Sequence, residues 1–476
     1  MPDLPRSRQL LVLAICCLSL LIVSMDNTIV NVALPSIRSS LGASLSGLQW
    51  VIDAYTLVLA GLLMLAGSTA DRLGRRRTFQ TGLVVFTVGS LLCSVAPSLP
   101  VLVGARALQA VGGSMLNPVA MSIITNTFSD ARDRARAIGV WGGVVGLSLA
   151  LGPVVGGALT EHVGWRAIFW INVPIGALAF GLAARFVPES KAARARRVDP
   201  VGQLLVAAVL VPVVYAIIEA PRAGWTSPLV LGLFVLAAVC LAGLLRYEPR
   251  RRDPLLELGF FRSVPFSGAT LTAVCAFAAF GGFLFLNTLY LQDVRGLSAL
   301  QAGLCTLPLA LAALVCAPLS GRLVARSGTR LPLCLAGGCF VVSPLLLVGL
   351  SASTPLPLLL VAYLVFGVGF GFVNSPITNT AVSGMPRTQA GVAAGVASTS
   401  RQVGQSLGVA LAGSLAGTAG GVGAGFAAAT HPVWWLVCAA GVAVVVAGVV
   451  TTTPWAGRTR DEVGRLFEQE RVPAAA

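Results

Sequence analysis

Charge is the scarcest commodity in this sequence. Asp, Glu, Lys and Arg together supply 11% of 476 residues, against about a quarter in an ordinary soluble domain. Lysine occurs once, at Lys191, and histidine twice, at His162 and His431. Both histidines fall in predicted external loops and carry no functional signal. The ten cysteines (16, 17, 93, 240, 275, 305, 316, 334, 339 and 438) sit inside apolar stretches, none at metal-ligand spacing from a histidine. They read as small buried hydrophobes. No Gly-x-x-x-x-Gly-Lys-Ser/Thr phosphate loop exists, which argues against ATP coupling. No nucleophile paired with a base stands out. These absences argue against an enzyme, and neither a metal nor a cofactor is expected.

What is present is apolar: 56% of the residues are hydrophobic. Runs without any charge cover 78–105, 137–160, 263–292, 331–386 and 402–457. A bilayer-spanning helix needs about 20 apolar residues, so the two longest runs must each hold two spans. Fourteen spans are predicted, near 9–35, 48–70, 78–96, 101–125, 136–160, 166–187, 200–219, 226–245, 264–292, 299–321, 331–351, 356–380, 389–416 and 433–454. The N-terminus resembles a signal peptide, but its apolar stretch runs on past Asn31, so it reads as an uncleaved first span. The net charge of +15 could mark a nucleic-acid binder, but the arginines cluster in short loops between spans. Placing both termini inside puts Arg72, Arg75, Arg76, Arg77 and most other basic residues on the cytoplasmic side. Only Arg38, Arg166, Arg222 and Arg295 are left outside, and Arg106 and Arg401 within spans. That asymmetry fixes the orientation and makes the partner a lipid bilayer, with no nucleic acid. The expected location is a bacterial cytoplasmic membrane, crossed many times.

The chain repeats itself. Gly67-Ser-Thr-Ala-Asp71-Arg72-Leu-Gly74-Arg75-Arg76 recurs as Gly321-Arg-Leu-Val-Ala325-Arg326-Ser-Gly328-Thr-Arg330, and Asn117 and Asn374 lie on similar glycine-rich helices. Parallel repeats of six-helix halves are a transporter architecture. The expected layout is a six-helix bundle over 1–187, a segment 188–263 holding two extra helices flanked by solvated linkers, a second six-helix bundle over 264–454, and a tail over 455–476 forming a solvated surface helix.

The first repeat copy resembles the signature loop between helices two and three of the major facilitator superfamily. Its glycines suit a tight turn. The resemblance implies a gating role for Gly67, Asp71, Arg72, Gly74 and Arg75, in which the aspartate meets a helix N-terminus of the other half. The second copy carries Ala325 in place of the aspartate, so such a clamp would be one-sided. Ser148-Leu-Ala-Leu-Gly152-Pro153-Val-Val-Gly156-Gly157 resembles the superfamily's antiporter motif. Its glycines allow close helix approach and its proline bends the helix. Met25-Asp26-Asn27-Thr28-Ile29-Val30-Asn31-Val32-Ala33-Leu34-Pro35 and Trp165-Arg166-Ala-Ile-Phe169-Trp-Ile-Asn172-Val-Pro174-Ile-Gly176 look like motifs of the fourteen-helix drug:proton antiporter branch. The unpaired seventh and eighth helices fit that branch. The resemblance covers about residues 10 to 454. It implies an all-α major facilitator fold of fourteen transmembrane helices with both termini cytoplasmic.

Acids at membrane depth are costly and are functional candidates. Asp26 lies about 13 Å from the outer end of its predicted span and Arg106 about 8 Å into the fourth, at 1.5 Å per residue. Asp53 lies at similar depth in the second. Arg106-Ala-Leu-Gln109-Ala-Val-Gly112-Gly113 resembles the family's helix-four motif. The three charges can share one polar cluster, in which Asp26 is neutral when protonated and paired with Arg106 when not. A permanent structural ion pair is the alternative, and Asp53 reads equally as an interfacial residue. Glu219 and Asp293 read as interfacial charges. Asn31, Gln109, Asn287 and Asn374 are candidates for lining a substrate cavity. Together the resemblance implies a monomeric exporter of small hydrophobic drugs or antibiotics, exchanged for protons. A metabolite or sugar transporter of the same superfamily is the alternative.

Overall fold

The computed structural model describes residues 5–191, 199–251, 254–385, 389–417 and 425–469. Among these residues there is no strand. The first half of the chain forms α1 (Arg6–Leu41), α2 (Leu45–Leu73), α3 (Arg75–Ser94), α4 (Leu99–Thr127), α5 (Ala131–His162), α6 (Ala167–Trp170), α7 (Asn172–Phe186), α8 (Pro200–Ala223) and α9 (Pro228–Tyr247). The second forms α10 (Val264–Leu289), α11 (Ala299–Cys305), α12 (Leu307–Ser327), α13 (Arg330–Leu345), α14 (Leu356–Val382), α15 (Ala390–Gly417), α16 (Phe426–Ala429), α17 (His431–Val450) and α18 (Pro454–Gln469).

A helix lies in each of the fourteen predicted stretches. Among the described residues, eleven helical segments are long and apolar enough to cross a membrane. The three others fall short for visible reasons. The α3 helix opens on three arginines, α13 has 16 residues, and α15 carries Arg401, Gln402 and Gln405 among small residues. Several predicted spans are broken. The sixth divides at Ile171 and the tenth at Thr306, while the ninth ends in a π-helical turn over Tyr290–Val294. The histidines predicted in loops instead end α5 and start α17.

Local chemistry sets the ends. Ser44, Asp130 and Ser227 cap α2, α5 and α9 through their side-chain oxygens, and Ser298 with Gln301 closes a capping box on α11. Gly74 (φ 115°) separates α2 from α3, and Gly328 (φ 77°) separates α12 from α13. The two repeat copies therefore share one local design: helix, left-handed glycine, helix. Gly67, by contrast, lies inside α2 with open space where a Cβ would stand, so the expected turn belongs to Gly74.

The chain divides into two compact units. The first comprises Met1–Asp199 and Asn287–Ala310. Its interior is an apolar cluster around Tyr55, Phe79, Phe86, Leu116 and Ile124, shared among α1 to α5 and α7. Glycine permits the closest approaches: a Cβ on Gly89 would stand 2.6 Å from the Gln109 backbone. The second unit comprises Pro200–Leu286 and Leu311–Ala476. Here a Cβ on Gly281 would stand 2.5 Å from the Gln405 carbonyl oxygen, which presses α10 against α15. The extra helices α8 and α9 pair with each other and belong to this unit, with α8 packed on α15. Only Val230, Ala237 and Leu244 of α9 are buried, and Leu229, Leu231, Val235, Leu236, Val239, Leu241 and Leu245 are exposed. A helix apolar all round with its leucines and valines exposed is suited to lipid.

Two expectations of solvated segments are corrected. Part of the expected linker after α9 is packed: Glu248 is fully buried, and Phe260 is fully buried against Phe266 at 5.3 Å. The tail does form a helix, α18, but it is docked. Phe467 packs on Phe260 at 5.3 Å, Val463 and Ala456 are buried, and Thr459 Oγ1 accepts from the Val264 amide at 3.1 Å. The amphipathic pattern of α18 gives this apolar face a partner within unit 2. Residues 192–198, Arg252 and Arg387 lie outside the described residues, as does the end of the tail.

Candidate functional site

In unit 1 the structure joins Asp26 of α1 to Arg106 of α4. Both are buried, and Arg106 Nη1 donates to Asp26 Oδ2 at 2.5 Å. Two amides complete the carboxylate's shell: Gln109 Nε2 donates to Asp26 Oδ1 at 2.9 Å and Asn172 Nδ2 at 3.2 Å. Both amides also donate to Ser90 Oγ, at 3.2 and 3.0 Å, and Ser90 donates to the Phe169 carbonyl at 3.0 Å. Arg106 further donates through Nη1 to Gln109 Oε1 at 2.7 Å and through Nε to the Val51 carbonyl at 3.2 Å. Its guanidinium lies 4.2 Å from the Tyr55 ring centroid and 5.7 Å from that of Phe169.

This arrangement answers the cost of burying two charges. A buried ion pair is tolerated when its geometry is close and its remaining donors and acceptors are met. Sequence reasoning found the pair but placed Gln109 with the cavity candidates, and it missed Ser90, Asn172 and Tyr55. Neutral polar residues in apolar helices have no pattern that distinguishes a network member from a lone hydroxyl or amide. Two polar atoms beside the pair, Asn172 Oδ1 and the Tyr55 hydroxyl, are buried without a hydrogen-bond partner. Asp53 is also fully buried, and its Oδ1 accepts from Thr56 Oγ1 at 3.2 Å on its own helix. The structure extends α1 to Leu41, six residues beyond its predicted end, so Asp26 lies near mid-helix.

At the α2–α3 turn Asp71 pairs with Arg75 at 2.9 Å across Gly74. Arg72 is exposed. Glu189, which no motif flagged, occupies the start of α3. Its carboxylate accepts from the amides of Arg76 at 3.1 Å and Arg77 at 3.3 Å, and Ser190 O accepts from the Arg75 amide at 2.9 Å. The carboxylate thereby satisfies the free N–H groups of a helix N-terminus. A Cβ on Gly74 would stand 2.6 Å from Glu189 Oε1, so a larger residue would shift that carboxylate, and the positive φ itself favours glycine.

The glycines of the α5 motif all make close contacts. Gly152 faces Thr28, a Cβ on Gly156 would stand 2.5 Å from Ile29, and one on Gly157 would stand 2.5 Å from the Ala299 carbonyl. Pro153 lies inside α5, and its carbonyl is met by Gly303 of α11. One face of α5 therefore seats α1 and α11. Polar contacts reinforce this within unit 1: Arg38 pairs with Asp293 at 3.4 Å, Gln292 donates to the Val32 carbonyl at 2.8 Å, and Glu161 accepts from the Leu300 amide at 3.1 Å. Of the other cavity candidates, Asn31 is buried and donates to the Asn27 carbonyl at 2.9 Å, and Asn287 is buried. Asn374 of α14, in unit 2, is half-buried and donates to the Phe370 carbonyl at 3.2 Å.

Residues 16–409 match the family model described as Major Facilitator Superfamily. The multidrug resistance protein Stp of Mycobacterium tuberculosis is 39% identical over 386 residues, covering 81% of this chain and 72% of that protein. The tetracenomycin C resistance and export protein of Streptomyces glaucescens is 36% identical, covering 82% and 72%. The multidrug efflux pump LfrA of Mycolicibacterium smegmatis is 36% identical, covering 82% and 77%. Among solved structures, a D-xylose-proton symporter matches with TM-score 0.66 at 15% identity over 93% of this chain and 97% of that one. The peptide transporter POT in complex with sulfate matches with TM-score 0.65 at 15% identity over 96% and 95%.

Proposed function

The chain belongs to the Major Facilitator Superfamily, and from that premise we propose that it is a proton-coupled antiporter exporting small hydrophobic drugs or antibiotics across the bacterial cytoplasmic membrane by alternating access. It is a transporter and not an enzyme. The observation that carries the coupling is the fully buried Asp26–Arg106 pair, with the carboxylate held by three donors from α4 and α7. A proton on that carboxylate removes the negative charge that holds Arg106 and weakens all three of these hydrogen bonds. Protonation of Asp26 therefore loosens the hold of α4 and α7 on α1, and deprotonation restores it. That is a chemical reason for proton binding and helix movement to be linked. Asp53 is a second proton site in this reading.

The rest of the proposal follows the expected topology. Fourteen helices span the bilayer with both termini in the cytoplasm, the two six-helix bundles cover 1–187 and 264–454, and one copy of the chain suffices. Asp71, Arg75 and Gly74 form the cytoplasmic latch, and the glycines of α5 form the surface on which neighbouring helices slide. Drug export is the activity carried by the names of the relatives at 36–39% identity. Expression in a pump-deficient bacterial host tests it. Tolerance to at least one lipophilic compound is expected to rise, and a proton uncoupler is expected to abolish efflux. Efflux that survives collapse of the proton gradient would refute the coupling.

A further inference from the structure

Unit 2 contains a charge with no acidic partner among the described residues. Arg401 lies eleven residues into the 28-residue helix α15, about 17 Å from its start. The sequence has no Asp or Glu anywhere from Val294 to Arg460. No carboxylate lies within ion-pair distance of Arg401 among the described residues. Its hydrogen bonds are neutral: Nη2 donates to Thr378 Oγ1 at 2.6 Å and to the Asn374 carbonyl at 3.5 Å. Its Nε–H is buried and has no acceptor. The contrast with Arg106 is chemical, since there a carboxylate, an amide and a carbonyl answer the guanidinium.

Cations at membrane depth are kept where they pair with something. A buried N–H without an acceptor is costly. The surroundings indicate the missing partner. Arg401 Cζ lies 5.9 Å from the Phe277 ring. Phe277 meets Phe370 edge-on at 5.3 Å, and Phe280 stacks on Phe370 at 4.2 Å. Arg401, Asn374 and Phe277 are only half-buried and Thr378 is exposed, so a small molecule can reach the group. Aromatic rings take a flat apolar body, and a guanidinium takes a carboxylate in preference to a neutral acceptor.

We propose that Arg401, with Thr378 and the Phe277–Phe280–Phe370 cluster of unit 2, is an anion subsite for transported compounds, and that the exported compounds include apolar aromatic molecules bearing one carboxylate. This rests on the exporter reading and specifies its substrate class. The bound carboxylate supplies the counter-ion that Arg401 lacks among the described residues.

The test uses the full chain in lipid nanodiscs and two fluorescent probes, anthracene-9-carboxylate and its methyl ester, which differ in charge and little in shape. The readout is the ratio of ester to carboxylate dissociation constants. In the wild type that ratio is expected to exceed about tenfold, the scale of one hydrogen bond to a charged group. Arg401→Gln is expected to bring it to about one. Thr378→Glu places an internal carboxylate on the guanidinium from an exposed position, so it is expected to remove the preference even if Arg401→Gln fails to insert. A wild type that binds the ester as tightly as the acid overturns the inference, as does a preference that survives in Thr378→Glu. Either result leaves the exporter reading standing if the wild type still confers tolerance to neutral compounds. A wild type that confers no tolerance to any compound sinks the exporter reading, whatever the ratio.

Discussion

Asp26 accepts from three side chains on two other helices, so charge and shape at this position can be varied separately. Asparagine keeps the shape but cannot titrate. Asp26→Asn is expected to lose uphill, gradient-driven export while a neutral substrate still binds, measured by transport and binding in proteoliposomes. Native-rate pumping by Asp26→Asn would move the proton site elsewhere, with the fully buried Asp53 the next residue to replace. The pair also predicts a stability pattern. Arg106→Ala leaves a buried carboxylate with amide donors only, and breaking a buried pair costs about 3–5 kcal/mol. The double variant Asp26→Asn/Arg106→Ala is therefore expected to melt at a higher temperature than Arg106→Ala alone. Equal melting temperatures would mean the two side chains do not depend on each other. The two charges were legible in the sequence because a charge stands out in an apolar helix. Ser90 and Asn172 were not, because each has a partner 79 or more residues away and a neutral side chain leaves no trace in hydropathy.

Among the helices, the motif glycines separate into those the packing requires and those it does not. Gly157 approaches the backbone of α11 so closely that a Cβ would stand 2.5 Å from the Ala299 carbonyl, and backbone cannot rotate away. Gly67 has nothing within 4 Å of the same position. Gly157→Val is expected to separate α5 from α11 and abolish export, read as drug tolerance at matched membrane abundance. Gly67→Ala is expected to insert normally and raise stability by about 0.5–1 kcal/mol, because alanine restricts the unfolded chain and suits a helix interior. The reverse order of effects would show that the α2 glycine has a partner in another conformation. The sequence reads Gly67 as a turn residue and Gly157 as a packing residue; the turn belongs to Gly74 instead, and the partner of Gly157 depends on the register of α5 against α11, set by residues far along the chain. Glu189 illustrates the same limit: an acid following α7 reads as an ordinary loop charge until the chain brings it to the start of α3.

For the whole molecule, the hydropathy pattern reached furthest. Each of the fourteen stretches contains a helix, because long uncharged runs bounded by arginine leave the backbone few other ways to satisfy its hydrogen bonds in lipid. The grouping of helices was less legible. The expected halves were contiguous in sequence, yet Asn287–Ala310 packs with the first unit. Glycine contacts at Gly157 and Gly303 draw it there, and such contacts carry no long-range signal. The α8–α9 hairpin decides whether the chain has twelve spans or fourteen. Its exposed leucines and valines and its attachment through α8 suit a pair that crosses the bilayer at the edge of unit 2. Single cysteines in a background lacking the ten native ones test this with a membrane-impermeant maleimide on intact cells. Cysteine at exposed Pro97, Thr226 or Ser353 is expected to label from outside, and cysteine at exposed Ser327 only after permeabilisation. Thr226 is the decisive position, since it sits in the turn joining α8 to α9. Labelling at Pro97 and Ser353 but not at Thr226 would place the hairpin on the membrane surface and reduce the count to twelve, with the termini still inside. Labelling at all three fixes fourteen, because each adjacent arginine-rich turn must then return to the cytoplasm.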